Sequence, residues 1–268
     1  MVFVERMAVE IDGDGDAVLM IHGLGGTTNT WTPVLGACAR HQRVRLDLPG
    51  SGRSWRVEGP LSIEKFVDAA KRALAAAKVD KAHVVAHSMG TIVAAHLAAV
   101  EPAMVRSLAL FGPLLAPPDQ ARVSIRARAA KARQEGMTGI ADSLVQASTS
   151  NETKQRRHVA VAFVRESLMG QNPDGYARSC EALADAHAAD TSAIVCPTLL
   201  VTGDEDVVAP PQSVRMMAQK ISGSRVEVLR GCGHWTPVEK PDECTELLKH
   251  FLSERRSTWQ MSSSRTFA

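Results

Sequence analysis

Short runs rich in β-branched residues alternate with longer alanine-rich runs through the first part of the chain. The former read as strands and the latter as helices. Strands are predicted over 7–11, 17–21, 43–46, 82–86 and 107–111, and helices over 31–40, 61–77 and 88–101. The first two strands are expected to pair as a hairpin around Asp12-Gly13-Asp14-Gly15-Asp16, because Asp-Gly pairs favour such turns. Ser62 is placed to cap the second helix, and the third must end before Pro102.

The alternation stops near residue 113. As far as about 190 only helical patterns occur, over 119–135, 138–147, 154–169 and 174–187. After Cys196-Pro197 the rhythm returns, with strands at 198–202 and 225–229 and helices at 211–221 and 242–253. Strands alternating with helices imply an α/β fold: a mainly parallel, twisted sheet with helices on both faces. The all-helical block reads as a cap inserted over the sheet's C-terminal edge, where open α/β sheets bind ligands. The expected division is a core of 1–112 and 191–255, a cap of 113–190, and a polar, serine-rich tail of 256–268. There is no internal repeat.

Composition narrows the function. Hydrophobic residues make up 45% and charged residues 22%, which is ordinary for a globular chain. The formal net charge of +2 gives no reason to expect nucleic acid or a membrane as partner. No apolar run reaches the roughly 18 residues of a membrane helix. Acidic residues interrupt the first 16 positions, with no basic segment leading into an apolar core, so no secretory leader is expected and the cytoplasm is the default location. The five cysteines form no CxxC pair and read as reduced, mostly buried thiols. Cys232 stands apart for lying two residues before His234. No metal or cofactor is expected.

The sharpest chemical signal is Val84-Val85-Ala86-His87-Ser88-Met89-Gly90-Thr91. A buried strand runs into a serine and then a helix. The tight turn this demands holds a serine hydroxyl exposed on strained backbone, so its neighbours two before and two after must be small. Ala86 stands where the pattern Gly-x-Ser-x-Gly has glycine, and a methyl group still fits. Ser88 is the candidate nucleophile. The Met89 N–H, at the start of the helix, is free to donate to an oxyanion.

Three further segments complete the constellation. Ile21-His22-Gly23-Leu24-Gly25-Gly26 follows a buried strand, and the Leu24 N–H is the second candidate oxyanion donor. One such donor is worth ~3 kcal/mol. A phosphate loop is the rival reading, but the spacing is not GxGxxG and no GK[ST] follows. His22 reads as a prop for the loop. Thr202-Gly203-Asp204-Glu205-Asp206 ends a strand in acid; Asp206 is the candidate acid and Asp204 its alternative. Gly231-Cys232-Gly233-His234 follows the last strand on a glycine-flexible loop, which makes His234 the candidate base. The remaining histidines lack that context.

With these residues in hand the chain resembles the α/β-hydrolase superfamily over nearly its whole length. Asp47-Leu48-Pro49-Gly50-Ser51-Gly52-Arg53-Ser54 matches the D-x-x-G-x-G-x-S loop of that superfamily, and the order Ser88, Asp206, His234 is its order. The resemblance is closest to small esterases and 3-oxoadipate enol-lactonases with a four-helix cap. It implies an ester or lactone of a small molecule as substrate, an acyl-enzyme on a Ser-His-Asp triad, and activity that falls at acid pH. Serine at the elbow excludes the aspartate chemistry of dehalogenases and epoxide hydrolases. No acid follows Leu110-Phe111-Gly112, so the position used for it by some relatives is empty.

The substrate pocket is expected to draw on Gly23, His87, Phe111, Leu114, Leu115, Met137 and Trp235, several of which also suit plain core packing. The run Arg122, Arg126, Arg128, Lys131, Arg133 reads chiefly as a solvated helix face, with one arginine meeting a substrate carboxylate as a second reading. Other outcomes on the same residues are C–C bond hydrolysis, cofactor-free perhydrolysis, or a ligand receptor that keeps the fold. Oligomeric state stays open, a homodimer included.

Overall fold

A computed structural model describes residues 1–253. The tail expected at 256–268 lies outside the described residues. Eight strands form one sheet: β1 (Val2–Val4), β2 (Met7–Asp12), β3 (Ala17–Ile21), β4 (Gln42–Leu46), β5 (Ala82–His87), β6 (Val105–Phe111), β7 (Thr198–Gly203) and β8 (Ser224–Leu229). Their order is β1-β2-β4-β3-β5-β6-β7-β8; β2 runs antiparallel to both of its neighbours, β1 and β4, and the remaining pairs are parallel.

The expected hairpin of the second and third strands does not form. β4 lies between them, pairing Leu46 with Val9 on one side and with Ile21 on the other. β3 is buried along its full length, so it needs a neighbour on each edge, and β4 and β5 supply them. Gly13 and Gly15, at φ 73° and 99°, let the connection pass beneath the end of β4. A Cβ on Gly13 would lie 2.5 Å from the His41 carbonyl oxygen. A hairpin that carries no glycine signal joins β1 to β2 instead, with Glu5 and Arg6 both at positive φ.

Helix α1 (Ile63–Ala76) buries Ile63, Phe66, Val67, Ala70, Ala73 and Leu74, one stripe at helical spacing. The Ser62 hydroxyl caps it by accepting from Lys65 N–H at 3.3 Å. Helix α2 (Met89–Val100) is buried on nearly every side beneath the insertion. Both lie on one face of the sheet with Leu19, Ile21, Val84 and Leu110. On the other face Val18, Met20, Val85 and Phe111 pack against Trp31 and against Leu248 and Phe251 of α10 (Pro241–Ser253). The region predicted as a helix at 31–40 is a run of 3₁₀ turns, Thr28–Cys38, with Pro33 inside it.

The insertion between β6 and β7 is helical: α3 (Asp119–Glu135), α4 (Thr138–Ser148), α5 (Asn151–Arg156), α6 (His158–Met169) and α7 (Pro173–Asp185). The helix expected at 154–169 is broken at Arg157, at φ −121° and ψ 60°. Its guanidinium donates to the Glu239 carbonyl at 2.6 Å. Helices α8 (Pro211–Ala218) and α9 (Thr236–Glu239) complete the chain, and α9 carries no sequence signal of its own. Among the described residues no helix is long and apolar enough to cross a membrane.

Candidate active site

The loops leaving β3, β5, β7 and β8 meet at the C-terminal edge of the sheet. Ser88 joins β5 to α2 at φ 51° and ψ −122°, a conformation non-glycine residues avoid. Its N–H donates to the Phe111 carbonyl at 2.9 Å, and its own carbonyl accepts from Thr91 N–H at 2.8 Å. Gly90 is obligatory, since a Cβ there would lie 2.5 Å from the Ile21 carbonyl oxygen. Gly23 lies against the serine; a Cβ on it would come within 2.7 Å of Ser88 Cβ.

Three side chains form one hydrogen-bonded line. His234 Nε2 lies 2.8 Å from Ser88 Oγ, and His234 Nδ1 lies 2.9 Å from Asp206 Oδ2. Burial pushes the Asp206 carboxyl up, but the His234 imidazole and N–H groups of Ala209 and Val208 more than offset this, and its pKa is lowered. The ionised carboxylate only accepts, so Nδ1 carries the imidazole proton and Nε2 is left to accept from the serine. Asp204 is elsewhere. Its carboxylate accepts from Cys232 N–H at 3.2 Å and so braces the histidine loop.

The glycine-rich loop after β3 is held by His22, which is fully buried. Leu48 N–H donates to its Nε2 at 2.9 Å, so Nδ1 carries the proton and donates to the Gly23 carbonyl at 2.7 Å. Burial lowers its pKa, which keeps the ring neutral. Asp47 ties the next loop to this one, accepting from Thr28 N–H at 2.8 Å and from Arg53 Nε at 2.8 Å. From the insertion, Gln171 Nε2 donates to the Gly25 carbonyl at 3.2 Å, while its Oε1 accepts from Gly52 N–H at 3.1 Å. Nothing in the sequence marks Gln171 or Ser167, whose hydroxyl donates to the same Gly25 carbonyl at 2.8 Å.

The expected pocket residues divide. Phe111 is no pocket wall, because strand alternation turns its ring to the opposite face, edge-on to Trp31 at 6.1 Å. His87 is likewise a brace, 1% exposed. Its Nε2 donates to the His234 carbonyl at 2.8 Å, and its ring sits 5.1 Å from His234 and 5.3 Å from Trp235. Burial, then the neighbouring His234, lowers its pKa to about 3. Trp235 is buried and donates from Nε1 to Ser148 Oγ at 3.1 Å. Met137 is buried where α3 meets α4. Leu114 and Leu115, at the start of the insertion, are half-buried, with Leu114 N–H donating to Thr91 Oγ1 at 2.9 Å.

In the basic run, Arg126, Lys131 and Arg133 pair with carboxylates, and Arg122 donates to the Ala184 and Ala186 carbonyls. Arg128 has no carboxylate partner among the described residues, and its buried Nε makes no hydrogen bond. All five cysteines are buried thiols outside any disulfide. Burial pushes the Cys232 thiol far up, so it is no thiolate. Among the described residues no group of three or more His, Cys, Asp or Glu side chains is arranged to hold a metal ion.

A parallel sheet carrying a strained serine elbow, with an imidazole and an acid on later strand ends, defines the α/β-hydrolase fold. A sequence profile described as the alpha/beta hydrolase family matches residues 18–247, and the chain belongs to that family. It is 24% identical over 244 residues to an (E)-2-((N-methylformamido)methylene)succinate hydrolase of Acinetobacter baylyi, covering 90% of this chain and 91% of that one. It is 29% identical over 260 residues to a 2-hydroxymuconate semialdehyde hydrolase of a Pseudomonas species, covering 93% and 91%. Among solved structures, the enol-lactonase of Burkholderia xenovorans superposes with a TM-score of 0.87 at 27% identity, over 92% of this chain and 96% of that one.

Proposed function

We propose that the protein is a serine hydrolase that cleaves carboxylic esters or lactones of small molecules through an acyl-enzyme. One observation carries this reading: a hydroxyl on strained backbone, 2.8 Å from an imidazole that a buried carboxylate orients. Asp206 holds His234 in the tautomer that accepts at Nε2. His234 takes the proton from Ser88 as Oγ attacks the carbonyl carbon. The N–H groups of Leu24 and Met89 receive the oxyanion, Met89 from the first position of α2, where no intrahelical acceptor exists. Protonated His234 returns its proton to the leaving oxygen, and water activated by the same imidazole then cleaves the acyl-enzyme.

A fluorophosphonate probe tests this directly. Labelling at Ser88, lost in Ser88→Ala together with turnover of p-nitrophenyl acetate, is the expected result. Retained turnover in pure Ser88→Ala protein overturns it. The muconate-type relative favours C–C bond hydrolysis as the second reading, because it matches over nearly the full length of both chains. Product analysis on an ester and on a dienoic diketone separates the two. Arg128, lacking a carboxylate partner, is the side chain on which recognition of a substrate carboxylate would turn.

A further inference from the structure

Glu239 is a fully buried carboxylate outside the line already described. Its residue is 0% exposed. No cation pairs with it among the described residues; the nearby Lys240 bonds Glu152, and Arg157 meets only the Glu239 backbone carbonyl. Three backbone N–H groups satisfy it instead. Oε1 accepts from Trp235 at 3.0 Å, and Oε2 accepts from Gly233 at 3.1 Å and from Ser150 at 2.8 Å. Gly233 and Trp235 flank His234, whose own N–H donates to the Ser148 carbonyl at 2.8 Å. Every amide in the tripeptide centred on the imidazole is therefore engaged, two of the three by one side chain.

A buried charge without a counter-ion is costly, and it persists where its hydrogen bonds define a geometry. A carboxylate suits this place because both oxygens accept and neither donates. The third donor, Ser150, belongs to the insertion. It caps α5, its hydroxyl donates to the Gly231 carbonyl at 2.8 Å, and Trp235 Nε1 reaches Ser148 two residues earlier. The histidine loop is thus fastened to the α4–α5 junction on both flanks of the imidazole. No space is spare, as a Cβ on Gly233 would lie 2.7 Å from the Ser148 carbonyl oxygen and 2.9 Å from Glu239 Oε1.

We infer that Glu239 is a positioning residue: it clamps the backbone around His234 onto the helical insertion and so sets the aim of the imidazole at Ser88. The inference rests on the reading of His234 as the general base. In the intact chain Glu239→Gln, nearly isosteric, turns an amide NH₂ toward at least one N–H group. The expected result is a loss in kcat on p-nitrophenyl acetate on the order of a hundredfold. KM should stay within about twofold, as for a group that acts on the transition state rather than on binding. Fluorophosphonate labelling of Ser88 should slow in proportion. The low-field proton resonance of His234 Nδ1–H should shift or broaden, a signature that does not depend on turnover. Glu239→Asp keeps the charge but ends one methylene short; its loss should be about tenfold, a partial rescue. It decides the matter if Glu239→Gln yields no folded chain.

Folded Glu239→Gln with kcat, labelling rate and proton resonance unchanged overturns the inference. So does a loss of activity that merely follows the folded fraction, and so does Glu239→Asp at wild-type kcat. Failure of the underlying reading looks different: Ser88→Ala would then keep its turnover, whatever Glu239 does.

Discussion

Gly112 leaves the volume that His234 fills: a Cβ on Gly112 would lie 2.9 Å from both Cε1 and Nδ1 of the imidazole. Gly112 also sits at φ 56°, where a side chain is strained. Gly112→Ala should therefore push the imidazole off Ser88 and cost kcat on the order of a hundredfold. The strain should also lower stability by about 1–2 kcal/mol. Steady-state kinetics and urea unfolding check the two separately.

The elbow stores strain of its own. Ser88 at φ 51° is a conformation that costs a non-glycine residue about 1–3 kcal/mol. Glycine relieves that strain but raises the entropy of the unfolded chain. Ser88→Gly is expected to be inactive yet more stable than Ser88→Ala by about 1 kcal/mol. Equal unfolding midpoints for the two would show that the turn carries no usable strain.

Acid should destabilise the fold through Asp47 and Asp206. Burial alone would raise both carboxyls. For Asp47, hydrogen bonds from the Arg53 side chain and from the Thr28 and Arg53 N–H groups outweigh it, and for Asp206 the His234 imidazole and the Ala209 and Val208 N–H groups do, so both lie below the ordinary carboxylate value. A lowered folded value means that the unfolded chain binds protons first. The stabilisation is complete above the unfolded value and is lost as pH falls through the folded one. Asp47→Asn should be less stable at neutral pH, and its stability should fall less steeply below about pH 4. Urea melts across that range give the slope; a slope equal to wild type rejects the assignment.

Gln171 reaches from the insertion to the loop that carries Leu24. It is 5% exposed and bonds Gly25, Gly52 and the Ser167 carbonyl. Gln171→Ala removes these bonds and leaves the Gly52 N–H without its acceptor, so stability should drop by about 1–3 kcal/mol. The loosened loop should also cost roughly tenfold in kcat, less than removal of an oxyanion donor outright. Unchanged kcat in the folded variant would mean that the loop holds its shape without the insertion.

Much of the site was legible because its geometry is local. A serine forced to φ 51° needs small neighbours within two residues, and Ala86 and Gly90 are those neighbours. Asp206 was separable from Asp204 only as a preference. The decision came from the distance to Nδ1, which depends on how β7 and β8 lie side by side. Phe111 faces away from the expected pocket because one residue of register reverses the face a strand presents. The expected pairing of 7–11 with 17–21 fails for a related reason: Asp-Gly pairs report a turn, not which strand will fill the edge beside it.

Residue types and their spacing alone determined the α/β architecture, the tight bend at Ser88 and the order in which the reactive groups appear, since each of these is a demand on neighbouring residues. Tertiary structure decided what the buried polar groups do. The bonding roles of His87, Gln171 and Glu239 appear only when segments far apart in sequence supply the partners that burial obliges them to find.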